Sequence, residues 1–167
     1  MALTNLDLSM IGDVVHLCDL ECATIVSLSC HNSTLYASVK HDSGLSSVLQ
    51  LTLGEASTCS VIVSADVGCP AILGVSAYSQ GLAFCQGTQI KLFDSSSKTV
   101  SVLAGGGLRG CNTGSSLTAS FKQPKDLCVE NDNTFFVVDP AAGCLLMITP
   151  TEGSVSFLQT LKKVYSA

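Results

Sequence analysis

The sequence predicts an all-β chain built from repeated four-stranded units. Three observations lead there. Short apolar runs alternate with polar turns along the whole chain of 167 residues. Few windows hold a 3.6-residue apolar period, so amphipathic helices are not expected. The rhythm of strands then returns three times, at roughly 40 to 50 residues per unit with four strands in each. A four-stranded unit has two apolar faces and cannot hide both alone. Stacking face to face around an axis hides them, which is the arrangement of β-propeller blades.

The first unit is expected over 14–64. ATIVSLS (23–29) alternates Ile25 and Ser27 against Val26 and Leu28, and CHNS is a turn signal. TLYASV (34–39), LSSVLQLTL (45–53) and CSVIVS (59–64) follow, separated by KHDSG and GEAST. The second unit, 70–103, gives ILGVSA (72–77), LAFC (82–85), QIKLF (89–93) and TVSVL (99–103), with YSQG, QGT and DSSSK between them. A glycine-rich connector, AGGGLRGCNTGSS (104–116), precedes the third unit at 119–158. Its strands are DLCV (126–129), TFFVVD (134–139), CLLMIT (144–149) and SVSFL (154–158), with ENDN and PTEG as turns. Matching the second strands places Tyr36, Ala83 and Phe136 in equivalent positions. Closed rings typically hold four to eight blades. The chain is therefore expected to be a fragment, a half completed by a partner, or part of a longer product.

Composition agrees with a packed domain. Hydrophobic residues are 47% and charged residues 13%, which excludes disorder. A chain of this size hides roughly 70% of its unfolded surface. Trp is absent and aromatics are 5%, so the core is expected to be aliphatic. The formal charge is −5 with 8 Lys and Arg. Lys122 with Lys125 and Lys162 with Lys163 form two separate pairs, not the cluster that tracks phosphates. No apolar stretch approaches the roughly 20 residues of a spanning helix. The N-terminus lacks a basic n-region and carries Asp7 and Asp13, so no secretory signal is read and a cytoplasmic location is expected. On that reading the nine cysteines are reduced core thiols, a disulfide framework being the alternative.

The third unit resembles an NHL repeat. Ala104, Gly105, Gly107, Gly110 and Gly114 supply a glycine-rich segment, and Ala119 and Phe121 a small residue and a ring. Pro124 follows, then Leu127 and Val129. Phe136, Val137, Val138 and Asp139 match an aromatic-Val-x-Asp strand end, and Leu145, Ile148, Gly153 and Val155 complete the unit. The pattern departs at Thr113-Gly114, Asp126 and Ala142, and the first two units share only the strand rhythm. Pro124 would fix φ ahead of the first strand, Phe121 would fill the space under the connector, and Asp139 would accept hydrogen bonds from the turn after it. NHL propellers are mostly interaction platforms. Some bind RNA or protein, and one branch is a lyase with metal-binding histidines.

Sites with chemistry are sparse. Cys18, Cys22, Cys30 and His31 have the spacing C-x3-C-x7-C-H. Only the first pair suits a zinc knuckle, and adjacent strand residues diverge to opposite faces. His16, His31 and His41 are the three histidines, with no nucleophile or substrate assigned to them by spacing. GGGLRGCNTGSS lacks the Gly-Lys-Ser/Thr end of a phosphate loop and reads as a flexible connector. Asn32-Ser33-Thr34 is a glycosylation sequon in letters alone, given no secretory signal. No catalytic, cofactor or metal residue is assigned. The expected function is a non-enzymatic interaction module binding a protein partner through a loop rim: the connector and the turns at 31–33, 78–81 and 130–133. Arg109, Asn112, Lys122 and Lys125 are the candidate partner-binding residues. The alternatives are an RNA-binding propeller, which needs Arg109 and the four lysines on one face, and a metal-dependent propeller lyase or hydrolase.

Overall fold

In a computed structural model of the chain, the structure describes residues 6–7, 14–15, 23–52 and 58–160. Strands β1 (Leu6–Asp7) and β2 (Val14–Val15) pair with each other. The first four-stranded sheet runs in chain order through β3 (Ala23–His31), β4 (Thr34–His41), β5 (Ser46–Thr52) and β6 (Thr58–Ala65). The second does the same through β7 (Ile72–Tyr78), β8 (Gly81–Gln86), β9 (Gln89–Asp94) and β10 (Thr99–Ala104). The third contains β12 (Asp126–Asn131), β13 (Thr134–Asp139), β14 (Cys144–Thr149) and β15 (Ser154–Thr160), and β11 (Gly114–Ser115) adds a short fifth strand beside β15. Every neighbouring pair is antiparallel. The fold is all-β, a partial β-propeller of three antiparallel blades. Residues 14–15, where the first unit was expected to begin, pair with 6–7 and not with the first sheet. Among the described residues, no helix is long and apolar enough to cross a membrane.

The turns form for local reasons. Asn32 and Ser33, between β3 and β4, take φ of 47° and 60°. A two-residue hairpin needs such positive angles to follow the strand twist, and Asn tolerates them well. In the turn from β9 to β10, Asp94 accepts from the backbone amides of Ser96 (2.9 Å) and Ser97 (2.7 Å).

Stacking makes the core. Successive residues of β8 point to opposite faces. Leu82 and Phe84 face the first blade, where they meet Tyr36, Val48 and Val63. Ala83 and Cys85 face the third blade, where Leu127, Phe135, Val137, Leu146 and Ile148 meet them. All four β8 residues are 0% exposed, as a strand buried on both sides requires. Burying each large side chain contributes roughly 1.5–3 kcal/mol. Tyr36 and Ala83 both lie on the face toward the following blade. Phe136, opposite Cys128 as Ala83 is opposite Ser76, lies on the same face of the third blade. There it is only half-buried, together with Val138, Leu145 and Met147. On the far face of the first blade, Ala37, Val39, Leu49 and Leu51 form a separate buried cluster.

The first strands of the three blades are also joined by hydrogen bonds. Ser29 Oγ accepts from the Ala77 amide at 2.9 Å, and Ser76 Oγ accepts from the Val129 amide at 3.1 Å. These are one bond repeated, because Ser29 and Ser76 oppose Tyr36 and Ala83, while Ala77 and Val129 oppose Leu82 and Phe135. The Gly74 amide donates to the Lys125 carbonyl at 2.9 Å. A Cβ on Gly74 would collide with the backbone of Asp126, so only glycine permits this approach of β7 to β12.

The cysteines depart from expectation. Cys85 and Cys144 are buried and Cys111 is half-buried, but Cys30, Cys59, Cys69 and Cys128 are exposed. An apolar run is not always a buried one. Cys59 lies on the edge strand β6, Cys69 in the link between blades, Cys30 at a strand end and Cys128 on the outward face of the third blade. Cys18, Cys22 and His16 lie outside the described residues.

Candidate binding surface

Because β3, β7 and β12 lie side by side, the turns that follow them gather at one end. They line a cleft of about 180 Å³. The first blade contributes His31, the second Tyr78 and Ser79, and the third Glu130, Asn131 and Asp132. Three turns expected to form a rim therefore do meet.

Side-chain bonds hold the cleft. The Ser79 amide donates to Asp132 at 3.1 Å, and the Ser79 hydroxyl donates to its other carboxylate oxygen. These bonds hold the Asp132 carboxyl below its ordinary range, with the nearby His31 charge adding to them. Tyr78 packs edge-on against Phe135, with ring centroids 5.9 Å apart at 70°. Burial raises the Tyr78 phenol above its ordinary value, and Asp94 and Asp132 raise it further. The Asn133 side chain accepts from the Thr151 amide at 3.0 Å, tying this end to the turn after β14. The lining is thus acidic, with one aromatic wall and one histidine. It suits a ligand that brings cationic or amide donor groups.

The connector is elsewhere and is tied by hydrogen bonds at several points. Gly105 donates to Ser116 (2.8 Å), Gly106 to Ala119 (2.9 Å) and Gly110 to Phe121 (3.0 Å). The Thr88 hydroxyl donates to the Gly107 carbonyl and the Gln89 side chain to the Gly105 carbonyl. Expected as flexible, the segment folds back on 118–121, where the amides of Gly106, Gly110 and Asn112 find carbonyl partners. Thr88 and Gln89 lie at the opposite end of β8 from the Ser79 turn. Arg109 bridges Phe121, which brings it beside Lys122, and Asn112 bridges Ser120. Lys125 stands just before β12, at the other end of that strand from Asp132. All four side chains are exposed, and none lines the cleft. Lys162 and Lys163 lie outside the described residues.

Asp139 fixes the start of the third blade. It is 0% exposed, and its carboxylate accepts the amides of Lys122 (2.6 Å), Gln123 (3.1 Å) and Ala142 (3.0 Å). The bond to the turn that follows was expected. The two bonds back to 122–123 were not visible in sequence, because they join residues brought together by the β12–β13 hairpin.

One serine–histidine contact exists. His41 Nε2 and Ser47 Oγ are 2.9 Å apart across the β4–β5 hairpin. Ser47 is only 4% exposed, so the pair serves the turn, without the open approach that a nucleophile needs. Among the described residues, no group of three His, Cys, Asp or Glu side chains gathers where a metal ion could sit. Cys30 and His31 are both exposed neighbours at the end of β3.

No protein-family model matches the chain, and no curated protein matches its sequence. Solved structures do match its fold. A nidogen/laminin complex aligns with a TM-score of 0.65 at 11% identity, over 87% of this chain and 52% of that one. A structural genomics protein of unknown function from Bacteroides thetaiotaomicron aligns at 0.45 with 11% identity, over 78% and 46%. Apo AztD from Citrobacter koseri aligns at 0.38 with 14% identity, over 86% and 50%. The chain spans about half the length of the structures it matches. At such identity the first likeness is one of fold, and it sets the three stacked sheets among the β-propellers.

Proposed function

We propose that the chain is a non-enzymatic interaction module, part of an NHL-type propeller, which binds a protein partner across the cleft between its blades. The carrying observation is the convergence of three turns, one from each blade, on a single acidic hollow. Rigid blades that hold variable loops are well suited to recognition. Ionised Asp132 and neighbouring Glu130 favour a basic segment of the partner and disfavour phosphate. The test is paired capture on immobilised wild type and on a Glu130→Ala, Asp132→Ala double variant. Arg109→Ala and Lys122→Ala report on the connector surface. The proposal expects a protein retained by wild type and both connector variants and lost by the double variant. Equal retention by the double variant would overturn it. RNA retained in filter binding with a steep salt dependence would instead favour the RNA-binding reading.

We also infer that further blades complete the ring. The half-buried face of Phe136, Val138, Leu145 and Met147 corresponds to faces that are covered in the first two blades. Cys128 stands where Ser29 and Ser76 each accept an amide from the following blade. The matched nidogen/laminin chain, about twice as long, is consistent with that extension.

A further inference from the structure

We propose that Cys111 and Cys144 are a thiol pair that closes to a disulfide by exchange with a small-molecule disulfide, clipping the connector to the third blade. Their sulfur atoms lie 3.3 Å apart, although the residues are 33 positions apart in sequence. A disulfide needs about 2.05 Å, so the sulfurs have only about 1.3 Å to close. Both backbones are held in place. Cys111 sits between the Arg109–Phe121 and Asn112–Ser120 bridges, and Cys144 opens β14 opposite Asp139. Both side chains pack on the same core cluster, so neither sulfur has far to turn.

The two sulfurs differ in access. Cys144 is 4% exposed, while Cys111 is half-buried. Burial and the adjoining Cys111 sulfur push the Cys144 thiol up to about 11. Cys111 is therefore the first to react. Its thiolate attacks one sulfur of the small disulfide and releases one small thiolate. Cys144 then gives up its proton and attacks the Cys111 sulfur, releasing the second small thiolate. Two cysteine thiols are oxidised and one small disulfide is reduced to two thiols. The product joins the connector to β14 and encloses β11, β12 and β13 in a covalent loop.

The experiment treats the full chain with oxidised glutathione, blocks remaining thiols, and maps linked peptides by mass spectrometry. The expected product is a Cys111–Cys144 linked pair, lighter by two hydrogens and absent after dithiothreitol. Cys144→Ser should instead trap glutathione on Cys111. Cys111→Ser removes only a half-buried sulfur and so guards against misfolding; it should leave Cys144 unmodified. The oxidised wild type should also unfold at higher urea than the reduced form, a difference that Cys111→Ser removes. The proposal fails if the exposed cysteines pair in preference to these two. It fails equally if Cys111→Ser leaves the pattern of linked peptides unchanged.

Discussion

Replacing Asp139 by Ala should be among the most damaging single substitutions in the third blade. The carboxylate is fully buried and accepts three backbone amides, from Lys122, Gln123 and Ala142. Alanine leaves the Lys122 and Gln123 donors without an acceptor, while the Ala142 amide keeps the Asp139 backbone carbonyl at 3.2 Å. Each orphaned donor costs about 1–3 kcal/mol when water cannot replace the partner. Lys122 and Gln123 have exposed side chains, so water can reach part of this site, and the lower part of the range applies. With two donors orphaned, the expected loss is about 2–4 kcal/mol, against the roughly 5–15 kcal/mol that holds an ordinary domain. Asp139→Asn keeps one acceptor oxygen but turns an amide donor toward donors, and should cost about 2–3 kcal/mol. Urea unfolding followed by circular dichroism measures both, provided the slope m is unchanged. A loss for Asp139→Ala below about 1 kcal/mol, the scale of an ordinary substitution, would refute the reasoning.

Other predictions concern the joints between blades and the turn electrostatics. Ser76→Ala should destabilise by about 1–2 kcal/mol by stranding the Val129 amide, while Ser101→Ala, exposed on an outer strand, should be near neutral in the same urea assay. Gly74→Ala should cost about 3 kcal/mol or more because its Cβ meets Asp126 backbone, whereas Gly114→Ala meets nothing and should cost only the strain of its φ of 129°, about 1 kcal/mol. Ser96 and Ser97 hold the Asp94 carboxyl at about 2, below its ordinary value near 3.9. A depressed folded value means that the contribution is full above about pH 4 and is lost as pH falls toward 2. An NMR titration should place the Asp94 midpoint near 2, and Ser96→Ala with Ser97→Ala should raise it. Phe135→Ala should cost about 3–5 kcal/mol, while its half-buried neighbour Phe136→Ala should cost clearly less.

The strands were legible because their cause is local. Alternation in TFFVVD and the Asn32-Ser33 turn are written in neighbouring residues, and the structure places β13 and the first hairpin there. Equivalence of Tyr36, Ala83 and Phe136 was readable for the same reason, since each is the third residue of the strand that follows a hairpin turn. Stacking partners were harder. Whether Cys128 or Cys85 is covered depends on which blade lies opposite, and the letters around them look alike. The cleft was half-legible: its three turns were identifiable, but the Ser79–Asp132 clamp joins residues 53 apart. The connector's hydrogen bonds were not legible, because glycine content signals only backbone freedom, while its partners lie on a segment that only folding brings near.

The most direct test of the stacked-blade account is a nuclear Overhauser measurement between aromatic rings on adjacent blades. Tyr78 and Phe135 belong to different sheets, with ring centroids 5.9 Å apart. The account requires strong cross-peaks between their ring protons, together with contacts from Tyr36 to Leu82 or Phe84. Cross-peaks confined within single sheets would contradict it.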